Sequence, residues 1–249
     1  SIYWTEINTL NGNKVVWLKA AHPIYDRSQL LKIVCSSLDL TKEYEIEQSL
    51  KFRVKFENLL IQLSNKLINV QVNQIDDVIN EGLSEIGKLA KVDRAYIFQY
   101  KNQRSTLENT HEWCANGVKS FINELKDIPS DHFSHLETVL QEGSIYKINH
   151  IDELPQGAIN ERAEFEKEGI QSVLIAPIVR NYSISGFIGF DLVKTARTWN
   201  EELEDFINLA AQVFSNAFDR LHSLDAIIDS EEKFRTITEK AKESIFNTR

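Results

Sequence analysis

Two pairs of side chains in this chain carry the residue types of nucleophilic catalysis or metal binding. His111 and Cys114 stand three apart in His111-Glu112-Trp113-Cys114, and a thiolate nucleophile needs an imidazole close enough to take its proton. The surrounding residues read as a strand, in which successive side chains alternate between faces. A separation of three therefore puts imidazole and thiol on opposite faces, and no catalytic pair is expected. His132 and His135, with Asp131 beside them, could offer a metal two imidazoles from one helical face. The spacing places no third and fourth ligand, so no metal site is expected either. No glycine-rich phosphate loop or dinucleotide fingerprint occurs. The remaining candidates suit binding rather than reaction: Tyr96, Phe98, Trp113, Tyr146 and Asp191 could line a ligand pocket over a sheet. The competing reading is that the aromatics are core and Asp191 satisfies loop backbone. These residue types name no particular cofactor.

The elements that must position these groups centre on residues 169–193. Residues 173–179 and 184–193 are apolar, β-branched and aromatic runs separated by Arg180-Asn181-Tyr182-Ser183, the pattern of an antiparallel hairpin. The first run is apolar at nearly every position, which predicts cover on both faces. Pro177 cannot donate to a ladder and predicts an edge or a bulge. Along the second run Gly186, Ile188, Phe190 and Leu192 share a face read as core, while Phe187, Gly189, Asp191 and Val193 share the other. There Gly189 leaves a gap beside the Asp191 carboxylate, where something small could sit.

Around this hairpin, residues 93–100 alternate, with Tyr96, Phe98 and Tyr100 on one face, and 106–114 return as a more polar strand. Residues 119–128 read as a loop with some helix, 131–141 as a short helix, 145–148 as a short strand and 158–168 as a helix ending at Gly169. Residues 41–70 contain no Gly or Pro and predict a long helix with a stripe of Phe52, Phe56, Leu59 and Leu63, widened by Leu60 and Leu67. A second helix, residues 74–90, carries Ile75, Val78, Ile79, Leu83, Ile86 and Leu89 on one side. Thr198-Trp199-Asn200-Glu201 fits a capping box. The helix it opens repeats Ile207, Ala210, Phe214, Ala217, Leu221, Leu224 and Ile228 at three-four spacing, the pattern of a coiled-coil seam. Its first half could equally cover the sheet; beyond Ile228 the continuation favours a dimer or a linker. Before residue 41 the chain reads as three short strands. Asn11-Gly12 marks a hairpin between Trp4-Thr5-Glu6-Ile7 and Val15-Val16-Trp17-Leu18, and Asp26-Arg27-Ser28 marks a second turn.

Composition narrows the functional class. The 249 residues carry 28 Lys and Arg against 37 Asp and Glu, a net charge of -9, which argues against a nucleic-acid-binding surface. No apolar run approaches the length of a membrane span, and no signal peptide opens the chain. The two cysteines, Cys35 and Cys114, are expected to be reduced thiols in a cytoplasmic setting. Methionine is absent, and the chain is read as an internal piece of a longer protein.

Two resemblances organise these elements. Gly12-Asn13-Lys14-Val15-Val16-Trp17-Leu18, Pro23-Ile24-Tyr25-Asp26 and Ser37-Leu38-Asp39-Leu40-Thr41 resemble the closing sheet of a PAS sensor domain with its terminal Asp-Leu-Thr signature. Physically, Asp39 or Thr41 can cap the helix that follows. The stretch from Ser230-Glu231-Glu232-Lys233-Phe234 to Ile245-Phe246 resembles the opening of another PAS domain. Between them, Phe56-Glu57-Asn58-Leu59-Leu60, Leu67-Ile68-Asn69, Val92-Asp93-Arg94-Ala95-Tyr96-Ile97-Phe98, His111-Glu112-Trp113-Cys114, Gly169-Ile170-Gln171-Ser172, Gly186-Phe187-Ile188-Gly189-Phe190-Asp191 and Arg197-Thr198-Trp199 occur in the order found in GAF domains of bacterial multidomain sensors. Bilin-binding GAF domains attach their chromophore through a Cys followed by His; here Ala115 follows Cys114. The ordered Asn-Lys-Phe-Asp-Glu set of cyclic-nucleotide-binding GAF domains has no match.

The resemblance implies an α+β fold, a GAF-type antiparallel sheet covered by helices, with long flanking signalling helices and a partial PAS sheet at the N-terminus. The expected division is a PAS end at 1–40, a helical linker at 41–55, the GAF domain at 56–221, and a linker helix with the start of a second PAS domain at 222–249. It implies a sensory or relay module of a sensor histidine kinase in a two-component system, with a diguanylate cyclase or phosphodiesterase input, or a ligand-free connector, as alternatives. A homodimer through the flanking helices and a small-molecule ligand are the expected partners. A GAF domain acting itself as a thiol reductase would need a further reactive Cys near Cys114.

Overall fold

The computed structural model of the protein describes residues 2–8 and 14–246. They belong to two compact units, Ser1–Lys55 and Phe56–Arg249.

In the first unit, β1 (Ile2–Asn8), β2 (Lys14–Asp26) and β3 (Gln29–Asp39) form an antiparallel sheet in that order. Trp4 pairs with Leu18 and Ile7 with Val15, the register expected of the first hairpin; its Asn11-Gly12 turn lies outside the described residues. At the second turn Asp26 pairs with Gln29. Arg27 and Ser28 between them have φ of 44° and 70°, the left-handed pair a two-residue hairpin requires. Helix α1 (Thr41–Asn69) then starts on an Asp39 cap. The Thr41 amide donates to Asp39 Oδ1 at 3.0 Å and the Thr41 hydroxyl donates to the same oxygen at 2.5 Å. Thr41 Oγ1 in turn accepts from the Val16 amide at 3.1 Å. Asp-Leu-Thr thus both closes the sheet and opens the helix, and the Thr41 bonds hold the Asp39 carboxyl below its usual range.

The second unit is built on a six-stranded antiparallel sheet of order β6-β5-β4-β9-β8-β7. Its strands are β4 (Arg94–Lys101), β5 (Thr106–Cys114), β6 (Ile128–Pro129), β7 (Tyr146–Ile148), β8 (Ser172–Arg180) and β9 (Ser183–Leu192). The β8–β9 hairpin turns at Asn181 and Tyr182, with φ of 47° and 61°. The expected Pro177 edge is observed: β7 pairs only with residues 173–175 of β8, so the β7 side is open at Pro177, and a register shift follows at Ile178 and Val179.

Helices cover one face of this sheet. On α2 (Ile75–Ala90) Ile75, Ile79, Leu83 and Ile86 are buried. On α5 (Glu201–Phe246) Phe206, Ile207, Ala210, Phe214 and Ala217 are buried over β8 and β9. The Ile, Leu and Phe side chains among these contribute about 1.5–3 kcal/mol each on full burial. The Ile207 to Ala217 part of the expected seam therefore covers its own sheet. Leu221 is half-buried, and the side chains of Leu224 and Ile228 lie outside those described. From Phe56 onward α1 lies on these helices: its ring meets Phe206 edge-on at 3.8 Å, and Leu63 fills the space that Gly82 leaves on α2. The capping box is not the cap used. Helix α5 begins at Glu201, and Asn200, not Thr198, caps it: its Oδ1 accepts from the Leu203 amide at 3.2 Å.

The opposite face is closed by α3 (Ser134–Gln141), α4 (Ile159–Glu168) and the segment carrying Phe121 and Leu125. Residues 119–128, read as a loop with some helix, form turns that lead into the two-residue strand β6.

Candidate functional site

Alternation along β4 sends Arg94, Tyr96 and Phe98 to the face away from α2 and α5, and on β9 the same face carries Phe187, Gly189 and Asp191. These residues, with Asn109 and Glu112 of β5, Glu168 of α4 and an apolar wall that includes Leu125, Phe133 and Phe165, line a cavity. Phe98 and Phe187 stack at 4.9 Å on its floor. The unfilled volume is about 30 Å³, room for about two water-sized groups.

One end of the cavity is charged. Arg94 is 1% exposed and its guanidinium pairs with Glu168 Oε2. It lies 3.6 Å from Asp191 Oδ2, beyond hydrogen-bond distance. Asp191 Oδ1 accepts from the Tyr96 hydroxyl at 2.9 Å. Three buried atoms of the lining, Arg94 Nε and Asp191 Oδ2 at this end and Asn109 Oδ1 on β5 opposite Phe98, have no hydrogen-bond partner among the described residues. Burial pushes the Asp191 carboxyl up to about 6 against the pull of Arg94. Burial and then Asp191 push Glu168 up to about 7. The Tyr96 hydroxyl is raised by burial and by Asp191, so it stays a donor.

Of the five residues expected around a pocket, the structure brings three together. Tyr96, Phe98 and Asp191 line the cavity. Tyr146 belongs to the same apolar cluster, where its hydroxyl faces His135 Nδ1 at 3.4 Å. Trp113 lies on the other face of the sheet, with its ring over Gly87 of α2. The cause is a bulge: Ile97 pairs with His111 but Phe98 pairs with Asn109, so Thr110 is the extra residue and the faces of β5 exchange beyond it. The gap at Gly189 is not open either, because the Tyr96 ring occupies it and a Cβ there would overlap that ring.

Beyond the bulge the ladder is regular, and alternation separates the other candidate pair as predicted. His111 turns toward α2, with Nε2 at 3.2 Å from Asp76 Oδ1, and burial lowers its pKa although Asp76 opposes the shift. Cys114 faces the other way, and burial and then Glu112 push its thiol up to about 12, the reverse of an activated nucleophile. Among the described residues no group of three or more His, Cys, Asp or Glu is arranged to hold a metal ion. His135 serves α3 instead: its backbone amide donates to the buried Glu161 at 2.7 Å.

A single antiparallel sheet with helices on one face and a capped, polar-ended cavity on the other is the architecture these elements build. The chain belongs to the GAF domain family, whose model matches residues 74–218. It is 29% identical over 201 residues to a methanogenesis regulatory histidine kinase, FilI, of Methanothrix harundinacea (strain 6Ac), a match covering 78% of this chain and 22% of that protein. The chain thus spans about a fifth of that relative's length. Among solved structures it is similar to the phycoerythrobilin-bound GAF domain of a cyanobacterial phytochrome, with a TM-score of 0.59 and 15% identity over 70% of this chain and 99% of that one. It is also similar to that protein class with phycocyanobilin bound, with a TM-score of 0.57 and 15% identity over 67% and 95%. The chromophore-binding domain of a Stigmatella aurantiaca bacteriophytochrome gives 0.56 and 12% identity over 85% and 72%. At these identities the likeness is one of fold. No helix among the described residues is long and apolar enough to cross a membrane.

Proposed function

We propose that this chain is the cytoplasmic input and relay region of a sensor histidine kinase, in which the GAF cavity binds a small ligand and biases the helices that leave the domain. The observation that carries this reading is the set of unpartnered polar atoms on Arg94, Asn109 and Asp191 facing one cavity. Buried polar groups are normally satisfied, and a cluster that is not invites a ligand or ordered water. The homology to a histidine kinase supports that output over a diguanylate cyclase or phosphodiesterase. A covalent bilin is not the ligand proposed: Ala115 follows Cys114, the thiol is not activated, and the free volume is far below a tetrapyrrole's.

The three-stranded sheet is read as the closing part of a PAS domain. Leu30 and Ile33 on one face of β3, Val34 and Leu38 on the other, and Leu31 at the bulge between Leu30 and Lys32 are all exposed, more apolar surface than an isolated sheet leaves in water. Helix α1 is read as a dimer helix, since Val54, Ile61 and Ile68 are exposed at seven-residue spacing. The second reading, a connector without ligand, is favoured by the small free volume and by the Tyr96 ring in the Gly189 gap. Native mass spectrometry of the protein purified from its own host, set against its denatured mass, decides between them. A retained small molecule supports the sensor, and a bare protein supports the connector.

A further inference from the structure

One guanidinium serves carboxylates on two different elements. At the polar end of the cavity Glu112, Glu168 and Asp191 face Arg94. Glu112 already accepts from the Ser120 hydroxyl, the Phe121 amide and the Asn109 side-chain amide. Arg94 pairs with Glu168 at the end of α4, and its Nη2 also donates to the Glu168 carbonyl at 3.3 Å. Asp191 of β9 accepts from the Tyr96 hydroxyl on Oδ1, while Oδ2 has no partner among the described residues and lies 3.6 Å from Arg94 Nη1. Two buried carboxylates thus stand against a single buried cation, and the charge left over is costly unless it takes up a proton.

We propose that Arg94, Glu168 and Asp191 form a proton-operated latch on α4, in which one proton on Glu168 transfers the guanidinium to Asp191 and frees one wall of the cavity. Glu168 takes the first proton because the Tyr96 donor keeps Asp191 ionised. The guanidinium then has one anionic partner left in the pair, and a movement of about 1 Å closes its gap to Asp191 Oδ2 to a hydrogen bond. What α4 loses is its ion pair to the sheet. Its other buried carboxylate, Glu161, accepts from the His135 and Leu136 amides of α3, so it ties helix to helix. Phe165, about one turn before Glu168, walls the cavity. Loosening that end of α4 therefore enlarges a free volume of about 30 Å³. The inference rests on the reading of this cavity as a sensor site and makes acidity a second input to it.

The groups around the pair set the range. Asp191 faces Arg94 and Tyr96 of β4, Glu112 of β5, Glu168 of α4 and Asp93. Glu168 faces Arg94 and Tyr96 of β4, Asp191 of β9, and Glu164 and Lys167 of its own helix. Burial is the largest cause of both shifts: it pushes Glu168 up to about 7 and Asp191 up to about 6, with Arg94 pulling both down. The latch is therefore closed above about pH 7 and open between about pH 6 and about pH 7. The fold as a whole is stabilised by the proton, as raised carboxyls require, and only the tie between α4 and β4 weakens.

The test follows the full 249-residue chain by carboxyl-carbon NMR, and by hydrogen exchange of residues 165–170 at about pH 8 and about pH 6.5, corrected for the intrinsic pH dependence of exchange. The expected result is carboxyl midpoints of about 7 and about 6, with faster exchange in that segment at the lower pH and none of this change in α2. Glu168→Gln should remove the upper midpoint, lower that of Asp191 and give the faster exchange at both pH values. Asp191→Asn should lower the Glu168 midpoint and leave exchange slow at both, and Glu168→Gln carries the test alone should Asp191→Asn not fold. Midpoints in the ordinary carboxylate range of about 4, or corrected exchange that does not change with pH, overturn the latch. Native mass spectrometry of the protein from its host keeps the two readings apart. A retained molecule without a pH response leaves the sensor and removes the latch, and a pH response in a bare protein leaves the latch and removes the ligand.

Discussion

Arg94→Met is the sharpest perturbation of the cavity, because it removes the one positive charge facing two buried carboxylates. The side chains of Glu168 and Asp191 are 6% and 1% exposed. Removing one partner of such a buried pair costs about 3–5 kcal/mol, against a total of about 5–15 kcal/mol for a typical domain. The cost depends on pH with a definite sign. Both carboxyls sit above their ordinary values, Glu168 at about 7 and Asp191 at about 6. The folded state therefore binds more protons than the unfolded one between about pH 4 and pH 7, and the stability this supplies at low pH is lost as pH rises through about 7. Without Arg94 both carboxyls rise further. At about pH 8 the variant carries the full 3–5 kcal/mol; at about pH 5, with both groups protonated, only about 1 kcal/mol from unmet hydrogen bonds remains. Urea titrations of both proteins at the two pH values measure the difference. Equal losses at both, or a loss below about 1 kcal/mol at the higher pH, would refute the coupling of these three groups.

Other consequences are open to measurement. Gly189→Ala forces the Tyr96 ring away from β9 and should cost about 1–3 kcal/mol by overpacking, read as a lower urea midpoint; an unchanged midpoint means the ring does not occupy the gap. Cys35 is exposed while the Cys114 thiol is pushed up to about 12, so iodoacetamide near neutral pH should label Cys35 and spare Cys114 by peptide mapping. Burial lowers the His111 pKa. Its contribution is present above the free-imidazole range and is lost on acidification, so His111→Asn should flatten the acid limb of the stability profile. Ile61 and Ile68 are exposed, so Ile61→Glu with Ile68→Glu should give a folded monomer by light scattering; a dimer that persists places the interface elsewhere. Phe214→Glu cannot serve that purpose, because Phe214 is fully buried in the core.

Much of the sheet was legible in the sequence because its signals are local. Apolar alternation located β4, β5, β8 and β9 to within a residue or two, and Pro177 announced the open edge of β8. The site was legible only as far as alternation stays in step. Arg94 shares the face of Tyr96 and Phe98 and was within reach of the same two-residue rule, but a charged residue at the start of a strand reads as solvated until its partners are known. Those partners, Glu168 on α4 and Asp191 on β9, lie 74 and 97 positions further along the chain, a distance no periodicity spans. Trp113 was misplaced by one inserted residue, Thr110, which carries no sequence mark of a bulge. The Asn200 cap lost to Thr198 in the sequence because both fit the chemistry of a cap, and only the first turn of the helix distinguishes them.

Strand β9 is where the cavity and the helices meet. Phe187, Gly189 and Asp191 face the cavity, and Ile188 and Phe190 face the other way, with Phe190 6.0 Å from Phe206 of α5. Since the Tyr96 ring fills the Gly189 gap and its hydroxyl donates to Asp191 Oδ1, a ligand that takes that oxygen displaces Tyr96, whereas one held by Oδ2 alone leaves it in place. Displacing that ring shifts a strand whose opposite face is packed into α5. Cores this dense pass such shifts on rather than absorb them. Tyr96→Phe keeps the ring in the gap while freeing Asp191, and so separates ligand binding from ring displacement. In the full-length protein it should bind ligand at least as well while transmitting less to the output; a variant that signals normally would show that the Tyr96 hydroxyl is no part of the relay.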